Sequence, residues 1–375
     1  MKQKIVSLVT SVLTVLTVTT APFTAAAAGK TTDYTIKDYA AAESYYNRVV
    51  LSKAWQNSDD RNERGEMLQL PAYMLNRMTT DALVEAVLDY PYFYDIYAFD
   101  DVQEGVDLMM QTFNGVRELA DRDDVASVLL DKYSGEEVLT DASSADAEVF
   151  RLTNLEVLLS QDFVTTKFNK KEKSKFVKNI ASKMDDKIAS PVYGDYTNNL
   201  VFELTEENSK DSGLLKDMQS VRDGKATSTY VKTPNGTKVA ATAYSTEPLS
   251  SSQISSINKK YDAAYPKAKR LRSASGKYNC HSYAWYSTST SNNKWINNPS
   301  AYWGDKSYKQ TTTVKAGRKI IYVDRSKNTL QHSSIVYSVS NSTITVNSKW
   351  GKCGLYRHSL TNSPYTNCKY YCFYR

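Results

Sequence analysis

The first half of the chain repeats apolar residues with the period of an α-helix. Thr79 and Thr80 precede a segment in which Leu83 and Val87 share one face, and Pro91 follows its end. Hydroxyl residues before such a segment and a proline after it are typical helix boundaries. The same periodicity predicts further helices at 102–119, 122–133, 145–160 and 170–184. We therefore expect residues 29–189 to form an all-helical accessory domain.

Residues 190–270 shift in composition toward Ser, Thr, Gly, Pro and Asn. Within them, two β-rich arms at 230–239 flank Asn235 and Gly236, a dipeptide that favours a hairpin turn with positive φ at both central residues. Residues 247–252 contain a proline and three serines, a composition typical of a linker. We expect 190–270 to be a linker that carries one β-hairpin.

The last part of the chain combines one short helical segment with several β-rich runs. We predict a helix at 280–287, a polar loop at 289–312, and strands at 318–323, 333–339, 343–347 and 369–374. A helix followed by an antiparallel meander indicates an α+β domain, which we place at 271–375. The whole chain is thus predicted to be α+β, with the helical domain first and this smaller domain last.

The first 28 residues have the features of a secretory signal peptide. Lys2 and Lys4 precede an uncharged apolar run at 5–20, and small residues favour cleavage near Ala27 or Ala28. The apolar run is short for a membrane span, and no later segment is long and apolar enough to be one. We expect a secreted protein without an integral membrane anchor.

The net charge of +6 is distributed unevenly along the chain. Residues 271–375 contain 15 Lys and Arg but only Asp305 and Asp324, which gives this segment a net charge of +13. A basic unit attracts polyanions such as wall polymers, nucleic acids or anionic lipids, or it is simply a solvated surface. The same segment holds all four cysteines and all three histidines. It is therefore the part of the chain in which to look for chemistry.

Cys280 stands at the predicted start of a helix, where a cysteine is well placed to be a nucleophile. A free thiol is mostly protonated at neutral pH, and a helix N-terminus and a nearby imidazolium both favour the thiolate. His332, which opens a predicted strand, is a suitable base. Exported cysteines also form disulfides. If two disulfides formed among Cys280, Cys353, Cys368 and Cys372, no free Cys280 would remain for catalysis.

These residues carry a resemblance to a known fold. The motif Asn-Cys-x-x-Tyr-Ala-Trp at 279–285, Gly317 before an apolar strand and His332 on the next strand resemble the NlpC-type and CHAP-type cell-wall hydrolases. The resemblance covers about 277–375. It implies a papain-like fold and a cysteine endopeptidase or amidase that cuts the peptide part of bacterial peptidoglycan, with no cofactor and no metal. Arg318 departs from the pattern, because these families carry Asp after the glycine.

Such families use a third, polar residue on the following strand to orient the imidazole. Ser348 and Asn347 are the candidates here. Ser348 shares a strand face with Ile344 and Val346, whereas Asn347 lies on the other face. The apolar register favours Ser348, although an amide orients an imidazole better.

Other residues of this segment are candidates for lesser roles. His281 is expected to be structural, and His358 to be a substrate contact or a surface residue. A zinc site formed by Cys280, His281, His332 and Cys353 matches no usual ligand spacing. The residues expected to bind substrate are aromatic or basic: Tyr278, Trp295, Trp303, Lys349 and Trp350.

The favoured hypothesis is a secreted cysteine hydrolase, extracellular or associated with the cell wall, with peptidoglycan or another peptide rather than nucleic acid as its partner. The alternative is a secreted, non-catalytic module of the same fold that binds cell wall or mediates adhesion. A secreted toxin or protein-processing peptidase would share the chemistry but not the substrate.

Overall fold

The computed structural model of the protein describes residues 36–37, 39–141, 148–219 and 227–375. The predicted signal peptide at 1–28 lies outside these residues. All of the described residues belong to one compact unit, Tyr34–Arg375. None of their helices is both long and apolar enough to cross a membrane.

The helices of the described residues occupy mainly the first two thirds of the chain. The α-helices are α1 (Ala40–Val50), α2 (Lys53–Asn57), α3 (Arg61–Met67), α4 (Ala72–Leu75), α5 (Thr80–Leu88), α6 (Val102–Thr112), α7 (Asn114–Asp121), α8 (Val125–Gly135), α9 (Arg151–Leu159), α10 (Asp162–Thr165), α11 (Lys170–Ala189), α12 (Asp195–Asn208), α13 (Ser212–Gln219), α14 (Ser251–Ala264) and α15 (Ala301–Gly304). A 3₁₀ segment, Phe93–Ala98, precedes α6, and a π-helix spans Ser282–Tyr286.

Helix α5 is confirmed together with its cap, because the Thr79 hydroxyl accepts a hydrogen bond from the backbone N–H of Ala82. The single helix predicted at 102–119 is wrong. It is broken into α6 and α7 at Phe113, whose backbone is extended. The Phe113 ring is buried and stacks on Tyr90 with 3.8 Å between centroids.

The predicted hairpin is present, formed by β1 (Thr227–Lys232) and β2 (Lys238–Ala243). Its turn differs from the prediction, since Gly236 has a φ of +93° but Asn235 is not in the positive-φ region. The N–H of Gly236 donates to the Thr233 carbonyl, which makes a three-residue loop rather than a two-residue one. The segment 190–270 also contains α12, α13 and α14, which the linker interpretation did not include.

The remaining strands form mainly one antiparallel sheet. They are β3 (Lys269–Arg272), β4 (Lys294–Trp295), β5 (Lys309–Thr311), β6 (Lys319–Asp324), β7 (Leu330–Ser340), β8 (Thr343–Lys349), β9 (Leu355–Ser359) and β10 (Cys368–Tyr374). Seven of them pair in the order β3-β9-β8-β7-β6-β10-β5, and β4 joins the hairpin. The predicted meander is confirmed as β6–β7–β8, and β9 extends it. The α+β class is therefore confirmed.

The helices and one face of the sheet share a single hydrophobic core. Tyr261 and Tyr265 of the α14 region pack against Trp350 at the end of β8, with centroids 5.7 and 4.9 Å apart. Val336 and Val346, which are paired across β7 and β8, belong to the same cluster. Because the two regions bury apolar surface against each other, the helical region directly contacts the sheet that carries the candidate site.

Candidate functional site

Cys280 begins a helical turn, as the sequence predicts. The side chain of Asn279 caps this turn by accepting a hydrogen bond from the N–H of Ser282 at 3.0 Å. The Cys280 side chain is buried, with 1% of its surface exposed. Its sulfur receives hydrogen bonds from the backbone N–H groups of His281 and Ser333. The turn and strand β7 therefore each supply one N–H donor for a thiolate, although burial raises the pKa of the thiol well above its ordinary value.

The helical region contributes Asp100 to this site. Reactive atoms of Asp100, Cys280 and His281 all lie within 4.8 Å of one another. One oxygen of Asp100, Oδ2, accepts a hydrogen bond from Asn279 at 2.8 Å. The other, Oδ1, is inaccessible to solvent and has no hydrogen-bond partner among the described residues. Burial raises the pKa of the Asp100 carboxyl to about 7, and its charge in turn raises the pKa of the Cys280 thiol.

His281 is fixed between the sheet and Asp100. Its Nδ1 is hydrogen-bonded to Ser333 Oγ at 2.8 Å, and its Nε2 lies 3.7 Å from Asp100 Oδ2. The Trp285 indole N–H donates to the same serine hydroxyl. Burial lowers the pKa of His281 to about 3, so the imidazole is neutral at physiological pH. The side chain expected to be structural is thus the histidine that faces the Asp100 carboxylate.

His332 lies within β7 and is completely buried. Its ring stacks on Tyr365 with centroids 3.7 Å apart. Neither ring nitrogen has a hydrogen-bond partner in the part of the chain that the structure describes, so His332 is not hydrogen-bonded to Cys280. Burial, together with nearby His281 and His358, lowers its pKa well below the ordinary value.

The two candidates for the third residue are not hydrogen-bonded to His332. The Ser348 hydroxyl is hydrogen-bonded to His358 Nε2 at 2.7 Å and accepts from the Trp350 indole. Asn347 lies on the opposite strand face and accepts from Arg357. The register that places Ser348 on the apolar face is as predicted, but the histidine it meets is His358. His358 itself is buried, not a surface residue.

The five residues expected to bind substrate are largely enclosed. Trp350 is fully buried, and Trp295 and Tyr278 are 7% and 5% exposed. Trp303 is half-buried and packs 5.2 Å from Trp285. Lys349 is completely buried and donates hydrogen bonds to three backbone carbonyls, those of residues 275, 351 and 353. Burial lowers its pKa to about 8. In this conformation none of the five residues lines an open substrate-binding groove.

All four cysteines are buried free thiols. The disulfide alternatives considered from the sequence are therefore not formed in this structure. Burial raises the pKa of Cys353 and Cys368 to about 12 each, as expected for inert core cysteines. The backbone N–H groups at its sulfur distinguish Cys280 from these two, because a carboxylate raises the thiol pKa at all three positions.

One segment of the helical region, residues 97–101, lies across the site and is called the covering segment below. The N–H of Lys352 donates to the Tyr97 carbonyl at 3.2 Å, and the Tyr365 hydroxyl donates to the Ala98 carbonyl at 2.6 Å. Gly351 approaches the same carbonyls so closely that an added Cβ would lie 2.8 Å from the Tyr97 oxygen. The covering segment thus brings Asp100 to the thiol and helps to bury it.

Sequence reasoning missed Asp100, Ser333 and Tyr365 as parts of this site. Asp100 follows the 3₁₀ segment and lies 180 positions before Cys280, so no local spacing connects the two. Ser333 alternates with His332 on β7, and the strand pattern alone predicts only that the two face opposite sides. Tyr365 is in a loop without periodicity. These contacts arise from packing between distant parts of the chain.

Comparisons of the chain with protein-family models, with curated proteins and with solved structures found no match.

Proposed function

We propose that the protein is a secreted cysteine hydrolase of papain-like type that cleaves amide bonds, with the peptide part of bacterial peptidoglycan as its substrate. Cys280 is the nucleophile and His332 is the base. The observation that carries the proposal is the environment of the Cys280 sulfur, which sits at the start of a helical turn and accepts two backbone N–H groups.

Two N–H donors directed at a sulfur stabilise negative charge there, because the thiolate accepts stronger hydrogen bonds than the thiol. Cys368 Sγ instead approaches the Thr366 carbonyl, a contact suited to an S–H that donates. Cys372 Sγ approaches the Thr313 carbonyl and also receives the Phe373 N–H, but it lies on a strand and not at the start of a helical turn. The environment of Cys280 is therefore suited to a nucleophile.

In the proposed reaction His332 takes the thiol proton and the sulfur attacks the scissile carbonyl carbon. The backbone N–H of Cys280 stabilises the resulting oxyanion. His332 then protonates the leaving amine as the C–N bond breaks, which leaves a thioester on Cys280. Water attacks the thioester, the carboxylate product leaves, and the thiol regains its proton.

The structure described above corresponds to a closed state under this proposal. Cys280 is 1% exposed and the His332 nitrogens are unpaired, so turnover requires the covering segment to move and His332 to approach the sulfur. Catalytic hydrogen bonds are commonly absent before substrate binds. Movement of the segment would also remove Asp100, which opposes the thiolate.

Digestion of purified peptidoglycan tests the proposal. We expect soluble fragments from the wild type and none from Cys280→Ser or His332→Gln. The matched controls Cys372→Ser and His358→Gln change the same residue types outside the proposed pair and should retain activity. Equal release by Cys280→Ser and wild type, or no release by the wild type, would overturn the hydrolase assignment.

A non-catalytic wall-binding module is the second candidate, and the burial of the thiol favours it. It predicts that the wild type and Cys280→Ser both sediment with purified cell wall and that neither releases fragments. Loss of sedimentation at raised ionic strength would identify the charge of the +13 segment as the source of binding.

A further inference from the structure

The side chains around Cys280 include three ligand types that metal ions use. Asp100, Cys280 and His281 offer a carboxylate oxygen, a sulfur and an imidazole nitrogen within 4.8 Å of one another. In a tetrahedral zinc site, bond lengths of about 2.0 to 2.3 Å place neighbouring ligand atoms roughly 3.5 Å apart. The separation between His281 Nε2 and Asp100 Oδ2 is 3.7 Å and needs almost no adjustment.

Each of the three side chains is held by a further hydrogen bond. Ser333 Oγ engages His281 Nδ1, so that with a proton on Nδ1 the lone pair of Nε2 faces Asp100. Asn279 donates to Asp100 Oδ2. Backbone N–H groups donate to the sulfur. Supporting bonds of this kind orient metal ligands and fix the histidine tautomer.

Two features of the site remain unexplained without a cation. Asp100 Oδ1 is inaccessible and lacks a partner among the described residues, although a buried carboxylate oxygen normally has one. The Asp100 carboxyl oxygen and the Cys280 sulfur, two groups that can each carry a negative charge, also lie within 4.8 Å of each other. A bound divalent cation gives the carboxylate a partner and balances the charge of both groups.

The two neighbouring lysines are held by other groups. The Lys349 ammonium is engaged by three backbone carbonyls, which fixes its position. Lys352 Nζ lies 3.5 Å from the Asp100 backbone carbonyl and 4.7 Å from the centre of the Trp295 ring.

We propose that Asp100, Cys280 and His281 form a Zn²⁺ site that links the covering segment to the helical turn of Cys280. Thiolate and imidazole ligands select zinc over magnesium or calcium, and a three-residue set leaves the fourth position open to water. Zinc in this site bonds the Cys280 sulfur and holds the covering segment in place. The site stands on the ligand geometry and does not depend on the hydrolase proposal.

Cobalt and zinc binding to the full, reduced chain tests the site. Cobalt added to metal-free protein should give a thiolate-to-cobalt absorption band at one equivalent, and zinc should abolish the band. Cys280→Ser should lose the band. Asp100→Asn and His281→Gln should each lower the affinity for zinc, which is measured by competition with a chromophoric chelator. The loss should exceed the roughly 10- to 100-fold decrease that follows from removing a residue that only supports a ligand.

Ser333→Ala should weaken zinc binding by that smaller factor, because it removes no ligand but deletes the hydroxyl that orients His281 and accepts from Trp285. Cys353→Ser is the matched control, since it removes another buried thiol, and it should bind as the wild type does. Circular dichroism of each variant checks folding. Absence of a one-equivalent site, equal affinity of Asp100→Asn and wild type, or loss of the band in Cys353→Ser would overturn the proposal.

The outcome separates the zinc site from the proposed reaction. Zinc binding without peptidoglycan release by the metal-free protein supports the site and refutes the hydrolase. Release of fragments by the wild type without metal binding supports the hydrolase and refutes the zinc site.

Discussion

Replacement of Gly351 by Ala should selectively open the covering segment. A Cβ at Gly351 would lie 2.8 Å from the Tyr97 carbonyl oxygen and closer still to that of Ala98, so the backbone of one segment must move. Gly351 also has a φ of +41°. Gly317 is a matched control because it has a φ of +84° but no atom within 4 Å of an added Cβ.

The expected magnitude follows from the difference between the two glycines. Both substitutions impose a positive φ on a side chain, which costs about 1 to 2 kcal/mol. Only Gly351→Ala adds steric overlap, which typically costs about 1 to 3 kcal/mol in a packed site. If that overlap is relieved by displacing the covering segment, the population of the open form rises about 5- to 150-fold relative to Gly317→Ala.

Iodoacetamide labelling with peptide mapping measures this opening, with a chelator present to remove metal. We expect Gly351→Ala to accelerate labelling of Cys280 by that factor. Cys368 on β10 is buried and serves as the internal reference for global unfolding. Equal acceleration at Cys280 and Cys368, or equal Cys280 labelling in the two glycine variants, would refute the reasoning.

Three further predictions concern stability, each measured as the free energy of unfolding in urea. His332→Phe removes two unpaired buried nitrogens and keeps the aromatic stack on Tyr365. It should leave the free energy of unfolding unchanged or raise it by about 1 to 2 kcal/mol. A loss of more than about 1 kcal/mol would contradict this prediction. Glu156→Ala leaves the buried Lys187 ammonium unpaired and should lower the free energy of unfolding by about 3 to 5 kcal/mol. Replacing both partners with apolar residues should lower it much less. Equal losses in the two variants would show that the unpaired charge is not the cause. Burial lowers the pKa of His358 to about 4. The neutral imidazole therefore makes its full contribution to the free energy of unfolding above the unfolded pKa of about 6.5, and this contribution is lost as the pH falls toward 4. His358→Gln should remove about 3 kcal/mol of that acid-dependent loss of stability, and an unchanged pH profile would reject the assignment.

The elements that the sequence predicted well are those with local causes. Helix α5, the hairpin position and the strands β6, β7, β8 and β10 follow from periodicity, caps and turn residues that act within about ten positions. The sequence analysis did not predict β3 or β9. Neither strand has the regular alternation of apolar residues that predicts a strand, and three of the four residues of β3 are basic. They are strands because β8 supplies backbone partners for β9, and β9 supplies them for β3.

The start of a helical turn at Cys280 and the apolar register of Ser348 were determined by the sequence itself. Asn279 caps the turn three residues ahead of its donor, and alternation along β8 fixes the face of Ser348. Such features need only local geometry.

Only the tertiary structure decided which groups meet. It placed Asp100 and His281 beside the thiol, gave Ser348 to His358, and enclosed His332 against Tyr365. Periodicity shows which face of an element is buried, but not which distant element covers it. The helical region packs on the sheet because both must bury apolar surface, and that long-range contact sets the burial and charge around Cys280.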